Sequence, residues 1–334
     1  MHLYRIDPAG DREAVRALYG IHRAAEAAET PEGPILPAPS FCDWAAHGWS
    51  DEPREVWLGD SDGDGDRGTG PAAGGYVLEL PDTGTHRVAS LLLVVHPEAR
   101  SCGAGRRLFE HARARMRAAG ATSCTAMVLN GSPGEALARS TGAKPSLVFL
   151  RQVCALDRAK APRPGEVTAA AGVPGYSPVR WCGRTPRGYE SDVAALTTAT
   201  SDAPSGDVDR DGVPWSVQRV RTRDERCAAR GTRAYSVAAF CESEGRLVAL
   251  STAYVDAAHE GWASQGDTVV LGEHRGRRLS LGVKKDLMTW LREKEPSVHS
   301  IATWNAEPND GIRRVNGSLG FTVSRRWTEW HLVL

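Results

Sequence analysis

Hydrophobic positions along the chain follow two periods, and the alternation between them occurs twice. The run Ala89–Val95 (ASLLLVV) is short, continuous and bounded by turn residues, which predicts a buried strand. Over Gly105–Ala119, Leu108, Ala112 and Met116 recur every four residues, while Arg106, Arg107, Arg113, Arg115 and Arg117 take other positions. That pattern predicts an amphipathic helix, stopped by Gly120. Ser123–Leu129 predicts the next strand, and Glu55–Leu58 with Tyr76–Leu80 two earlier ones. In the second half, Asp267–Leu271 reads as a strand. Leu279, Val283, Leu287 and Leu291 give a helix, Ser300–Trp304 a strand, and Asn309–Leu319 a short helix closed by Gly320-Phe321.

The two series keep step. Val95 precedes Arg100 by five positions and Val270 precedes Arg275 by five, the pairs being 175 apart. From Arg100 to Gly142 is 42 positions, and from Arg275 to Gly320 is 45. Two strand–loop–helix–strand–helix units at nearly equal spacing point to an internal duplication. Asp157–Gly175 is rich in Pro, Ala and Gly and reads as a linker. The expected organisation is therefore a domain over 1–156, a linker over 157–175 and a second domain over 176–334. Gly59–Gly75 reads as a polar loop between strands.

The 334 residues suit two domains of ordinary size. Apolar content of 41% and charged content of 25% match a soluble globular class with real cores. Acids and bases balance at 41 each, so no net field draws the chain to nucleic acid or an anionic membrane. The seven cysteines are scattered, without metal-ligand spacing or a disulfide framework, and no metal is expected. No run reaches the ~20 apolar residues of a membrane span and the N-terminus lacks a signal-peptide core, so a cytoplasmic location is expected.

The chemistry is concentrated in the loop Arg100-Ser101-Cys102-Gly103-Ala104-Gly105. Its glycines let the backbone curl tightly before a helix, and the first N–H groups of that helix converge with the positive end of its dipole. Such a cradle suits a diphosphate, with Arg100, Arg106 and Arg107 adding charge nearby. A dinucleotide-binding fingerprint fails, because Leu108 stands in place of its third glycine and Asn130 in place of its acid. A P-loop fails for want of Gly-Lys-Ser/Thr, and an ordinary glycine-rich turn remains the plain alternative.

Val95 through Gly105 resembles motif A of the GNAT acetyltransferase superfamily: Arg or Gln, two residues, Gly, one residue, Gly or Ala. Thr268-Val269-Val270 with His274–Ser280 falls at the same place in the second half, and Asn309–Phe321 is similar to the family's closing helix and Leu-Gly-Phe ending. Asp202–Asp207 and Trp304-Asn305-Ala306 resemble actinobacterial tandem members. The resemblance implies an α/β (α+β) chain of two tandem GNAT-like domains. Each would be a mixed, mostly antiparallel sheet flanked by helices and splayed between strands 4 and 5.

It also implies acyl-CoA-dependent N-acyltransfer from acetyl-CoA to the amine of a small molecule, in antibiotic biosynthesis or modification. The alternative is a non-catalytic acyl-CoA-binding or sensing protein. Neither nucleic acid nor membrane is an expected partner. By resemblance, Leu93, Val94 and Val95 pair with the pantetheine arm. Arg100, Ser101, Cys102, Gly103, Ala104, Gly105 and Arg106 hold the diphosphate, and Asn130 lies at the end of the next strand. The second-copy counterparts are Val270, Arg275, Gly276, Arg278 and Asn309.

The copies depart from the family pattern in opposite ways. Arg278 and Ser280 stand where the first loop has Gly103 and Gly105, which favours cofactor binding in the first copy on steric grounds. The tyrosine that often protonates the leaving thiolate in this family would align with Ala138 and Asn316. Glu79, His96, Asp267 and Glu273 lie near the right strands to act as base, but spacing fixes none, and no catalytic residue is assigned. The acidic stretches opening at Asp60 and Asp207 lack the closing Glu of a calcium loop, Pro71 and Gln218 standing there. Cys102 reads as a small loop filler and the tryptophans as packing, with an acceptor pocket as their alternative role.

Overall fold

A computed structural model describes residues 1–48, 54–60, 71–80, 87–156, 173–202, 214–258 and 260–334. Residues 157–172 of the linker, 61–70 of the polar loop, 203–207 and most of both acidic stretches lie outside the described residues.

The described residues form two compact units. The first draws on Met1–Val148 and Trp327–Leu334, the second on Phe149–Ser205 and Gly212–Arg326. The first unit is not one contiguous stretch: it takes its last strand from beyond the second unit in sequence.

The first unit contains strands β1 (Leu3–Ile6), β2 (Arg54–Asp60), β3 (Ala72–Glu79), β4 (Val88–Val95) and β5 (Ser123–Leu129). Its helices are α1 (Arg12–Glu29), α2 (Ala38–His47), α3 (Ala104–Ala118) and α4 (Pro133–Ser140). Strand β6 (Lys144–Ala155) then passes into the second unit. There follow β7 (Tyr176–Cys182), α5 (Glu190–Thr198), α6 (Val217–Ala229), β8 (Arg233–Cys241), β9 (Arg246–Val255) and β10 (Trp262–Val270). The chain closes with α7 (Leu279–Lys294), β11 (Ser300–Ala306), α8 (Asp310–Ser318) and β12 (Thr322–Val333).

The first sheet runs β1-β2-β3-β4-β5 and ends on residues 327–333 of β12. The second runs β7-β8-β9-β10-β11 and ends on residues 149–155 of β6. In both, the fourth and fifth strands are parallel and all other neighbours antiparallel. These are two copies of the expected mixed sheet.

Period-two burial explains the layers. On β3, Val77 faces a core with Val15 and Leu18 of α1 and Phe41 of α2, while Tyr76 and Leu78 face Leu108, Ala112 and Met116 of α3. On β8, Val237 and Ala239 face Leu279, Val283, Leu287 and Leu291 of α7, while Ala238 faces Val193 of α5 and Val220 of α6. Both helical stripes read from the sequence are thus the buried faces that lock α3 and α7 onto their sheets. Among the described residues, no helix is long and apolar enough to cross a membrane.

Candidate active site

Each sheet opens at the same place. β4 and β5 pair only over Val88–Ser90 against Ser123–Thr125, and β10 and β11 only over Trp262–Ser264 against Ser300–Ala302. Beyond these rungs the parallel strands separate, so main-chain groups of Leu91–Val95, and of the corresponding end of β10, have no strand partner across the gap. A helix starts at the mouth of each gap.

The two loops share one backbone. Ser101 (φ 65) and Gly103 (φ 82) are left-handed in the first, Gly276 (φ 80) and Arg278 (φ 61) in the second. Arg100 Nε donates to Val95 O at 3.3 Å, and Arg275 Nε donates to Val270 O at 3.2 Å. Gly103 and Arg278 occupy the N-cap positions of α3 and α7, and neither helix has a side-chain cap. The leading N–H groups therefore remain available to an anion in both units.

A Cβ on Gly103 would meet nothing within 4 Å, so this position demands its conformation rather than space. Arg278 adopts that conformation despite its Cβ, and its bulk does not displace the loop. A left-handed non-glycine stores strain of about 1 kcal/mol or more. Arg278→Gly is therefore expected to stabilise the chain by about 0.5–1 kcal/mol after the entropic cost of glycine, seen as a higher urea midpoint.

Arg100 serves posture more than charge, since its guanidinium also pairs with Glu29 at 2.8 Å. Burial raises the Glu29 carboxyl, and Arg100 offsets part of that. Arg106 is exposed and donates to Ser140 Oγ at 3.4 Å, and Cys102 is exposed on the loop. Asn130 accepts from Thr328 Oγ1 at 2.9 Å.

The gaps differ in what they hold. In the first unit, Leu91, Leu93, Phe109, Ala126, Leu137, Ala138 and Trp330 are among the walls of an apolar cavity of about 100 Å3. Its one titratable wall residue is Cys124, whose thiol burial pushes up to about 12. In the second unit a cavity of about 580 Å3 gathers Val270, Arg275, Gly276, Arg278 and Asn309 around Asp267, Lys284 and Trp304. All five second-copy candidates thus line one cleft. Pockets that enclose drug-sized ligands measure roughly 300–1,000 Å3, a range that includes the second cavity and excludes the first.

Residues 18–133 match the model of the Acetyltransferase (GNAT) family. The tandem GNAT protein from the clavulanic acid biosynthesis pathway (without AcCoA) superposes with a TM-score of 0.77 at 27% identity, over 99% of this chain and 98% of that one. The chain is similar to a tandem GNAT protein along its whole length, and its residues 18–133 match the family model. A GCN5-related N-acetyltransferase from Sphaerobacter thermophilus shares the fold at a TM-score of 0.66 and 16% identity, covering 99% and 95% of the two chains. A GNAT-family acetyltransferase from Colwellia psychrerythraea does so at 0.56 and 14%, covering 99% and 100%. No curated protein matches. The family model and these solved structures are all of acetyltransferases or GNAT proteins, which is the class of activity the chain is similar to.

The four acids and bases weighed from sequence separate cleanly. Glu79 is ion-paired to Arg54, a side chain only 3% exposed, and so anchors the fold. His96 accepts from Glu98 N at 3.4 Å and caps a turn. Glu273 is exposed and pairs with Arg246 at 2.9 Å, while main-chain hydrogen bonding and Arg246 hold its pKa down.

Asp267 faces the cleft. Register slips between Gln265 and Thr268 where β10 meets β9, a bulge absent from the regular β3–β4 pairing. Gly266 permits it: a Cβ there would stand 2.4 Å from Thr252 Oγ1 and 2.7 Å from Tyr254 Cε2. Asp267 is solvent-exposed on the cleft wall, and the protein beside its carboxyl removes part of its hydration. That desolvation pushes its pKa above the usual carboxylate range, and the Arg223 guanidinium offsets part of the rise.

The second unit also brings ligand atoms of Cys241, Glu244 and His274 within 4.8 Å of one another, a cluster invisible in sequence spacing. Glu244 there already pairs with Arg246 at 2.7 Å and His274 at 3.0 Å.

Proposed function

We propose that this chain transfers the acetyl group of acetyl-CoA to the amine of a small molecule, and that transfer takes place in the cleft of the second unit. The supporting observation is the 580 Å3 cavity between β10 and β11, which joins an uncapped helix start to a carboxylate of raised pKa. The diphosphate would lie on the main-chain N–H groups at Arg275–Ser280, with the pantetheine arm along the unpaired end of β10. Asp267 would take the proton of the attacking amine, and its raised pKa makes it a better base near neutrality than an ordinary carboxylate.

Trp304, 47% exposed on the cleft wall, offers an acceptor a flat apolar face. The first unit, with its 100 Å3 apolar gap, would hold a CoA diphosphate at its loop without room for turnover. A small amine in antibiotic chemistry is the acceptor class favoured by the likeness to the clavulanic acid pathway protein.

Free-thiol release from acetyl-CoA with a panel of primary amines tests the reaction and its location together. Ser280→Trp is expected to raise the KM for acetyl-CoA at least tenfold, one decade being 1.4 kcal/mol of lost binding. Gly105→Trp is expected to leave that KM within about twofold. The reverse pattern would place transfer in the first unit. Acetyl-CoA binding without thiol release from any amine would establish a sensor instead.

A further inference from the structure

The second cleft contains one group whose presence packing alone does not require. Lys284, in the second turn of α7, lines the cavity yet exposes none of its surface to bulk solvent. Its Nζ donates to Asn316 Oδ1 at 2.6 Å and stands 4.5 Å from the Phe321 ring centre, while Asn316 Nδ2 donates to Gln152 Oε1 at 2.9 Å. Among the described contacts no carboxylate meets Nζ. The titratable group acting on it is the Cys154 thiol of β6, which favours the charged amine. Burial outweighs that influence and lowers the Lys284 ammonium to about 7.

The first copy shows the structural version of the same place. An offset of 175 on α3 and α7, and of 178 on the last helix and last strand, sets Phe109, Ala138 and Trp330 where the second copy has Lys284, Asn316 and Gln152. Those three side chains line the small apolar cavity. The fold therefore closes there with Phe109, Ala138 and the Trp330 indole and no desolvated amine, whereas burying an ammonium without a carboxylate is costly. Stability does not account for the lysine. Its position does: Lys284 lies on the wall of the cleft that also carries Asp267 and the uncapped start of α7, and Asn316 holds its amine there.

We propose that Lys284 donates the proton taken up by the departing CoA thiolate in the second cleft, with Asn316 and Gln152 holding its amine in place; this rests on the acyl transfer argued above. The substrate nitrogen bonds to the thioester carbon and the C–S bond breaks. The amine proton passes to Asp267, and the Lys284 ammonium gives one proton to sulfur. Its neutral amine stays on Asn316 Oδ1 until water restores the proton. An ammonium poised near neutrality is a stronger acid than a thiol of pKa roughly 8.5, so the transfer runs downhill.

The test uses the full chain, acetyl-CoA and the panel of primary amines, with thiol release and calorimetric binding measured on the same samples. Lys284→Met should lower kcat about a hundredfold, keep the acetyl-CoA Kd within about twofold and abolish the alkaline limb of the pH profile. A kcat within about threefold of the unaltered chain with that limb intact would overturn the lysine's role, as would equal losses in Kd and kcat. Nuclear magnetic resonance of 13C-labelled lysines in the unaltered chain gives a readout independent of any variant's folding. One lysine titrating near neutrality and shifting with acetyl-CoA is expected, and lysines titrating only near the ordinary value of roughly 10.4 would overturn it. No thiol release by the unaltered chain would remove acyl transfer itself and the lysine's role with it. Loss confined to Lys284→Met would leave both standing.

Discussion

Asp267→Asn is expected to lower kcat for acyl transfer by about a hundredfold to ten-thousandfold while acetyl-CoA binding stays unchanged. Asparagine keeps the size of the side chain and the shape of the bulge but cannot accept the ammonium proton of the substrate. The pH profile gives a sharper readout than the rate alone. As the proposed base Asp267 would work as the carboxylate, and its pKa is raised by desolvation, so activity should climb as pH rises through that raised value. The rise belongs to the acid side of the profile and should vanish in Asp267→Asn, leaving the alkaline side in place. Steady-state thiol release across the pH range, together with binding calorimetry, checks both halves. Full activity in Asp267→Asn would remove the carboxylate from the mechanism.

Arg180→Met is expected to destabilise the chain by about 3 kcal/mol. Asp286 sits on α7 with no exposed surface, and its described partner is Arg180 of β7, which donates through both Nε and a terminal nitrogen. Removing the guanidinium strands a charge inside the helix that carries the second loop. Removing both partners does not, so Arg180→Met with Asp286→Leu should recover most of the loss. Denaturant midpoints of the single and double variants check this, and a single variant as stable as the parent would show the pair to be dispensable.

Both loop helices were legible because two strong local signals coincide there. Continuous apolar strands end on turn residues, and four-residue apolar spacing begins immediately after. The expected Gly105–Ala119 helix is observed as Ala104–Ala118, and Ser123–Leu129 is a strand over those same residues. β10 was seen only in its second half, because its first half, Trp262–Gly266, carries Ser264, Gln265 and Gly266 around the bulge. Gly266 was the available signal, a glycine inside a strand.

The steric case against the second loop rested on glycine at two positions. At the first of them Arg278 adopts the left-handed conformation of Gly103, where a Cβ meets nothing within 4 Å; at the second a Cβ on Gly105 would stand 3.4 Å from Leu137 Cδ2. The Lys284–Asn316–Gln152 chain was not legible, because its three members come from α7, α8 and β6 and meet only after folding. In sequence, Lys284 beside Lys285 reads as the wet side of a helix.

The exchange of closing strands has a consequence for synthesis. The first 148 residues leave the ribosome before the second unit, yet the partner of β5 along Ser123–Leu129 follows that unit, in residues 327–333. Until residues 327–333 are translated, a nascent edge of unsatisfied amides persists, and such edges invite pairing with other chains. Stop codons shortly before Trp327 should therefore yield insoluble product even though every residue of both loops is present.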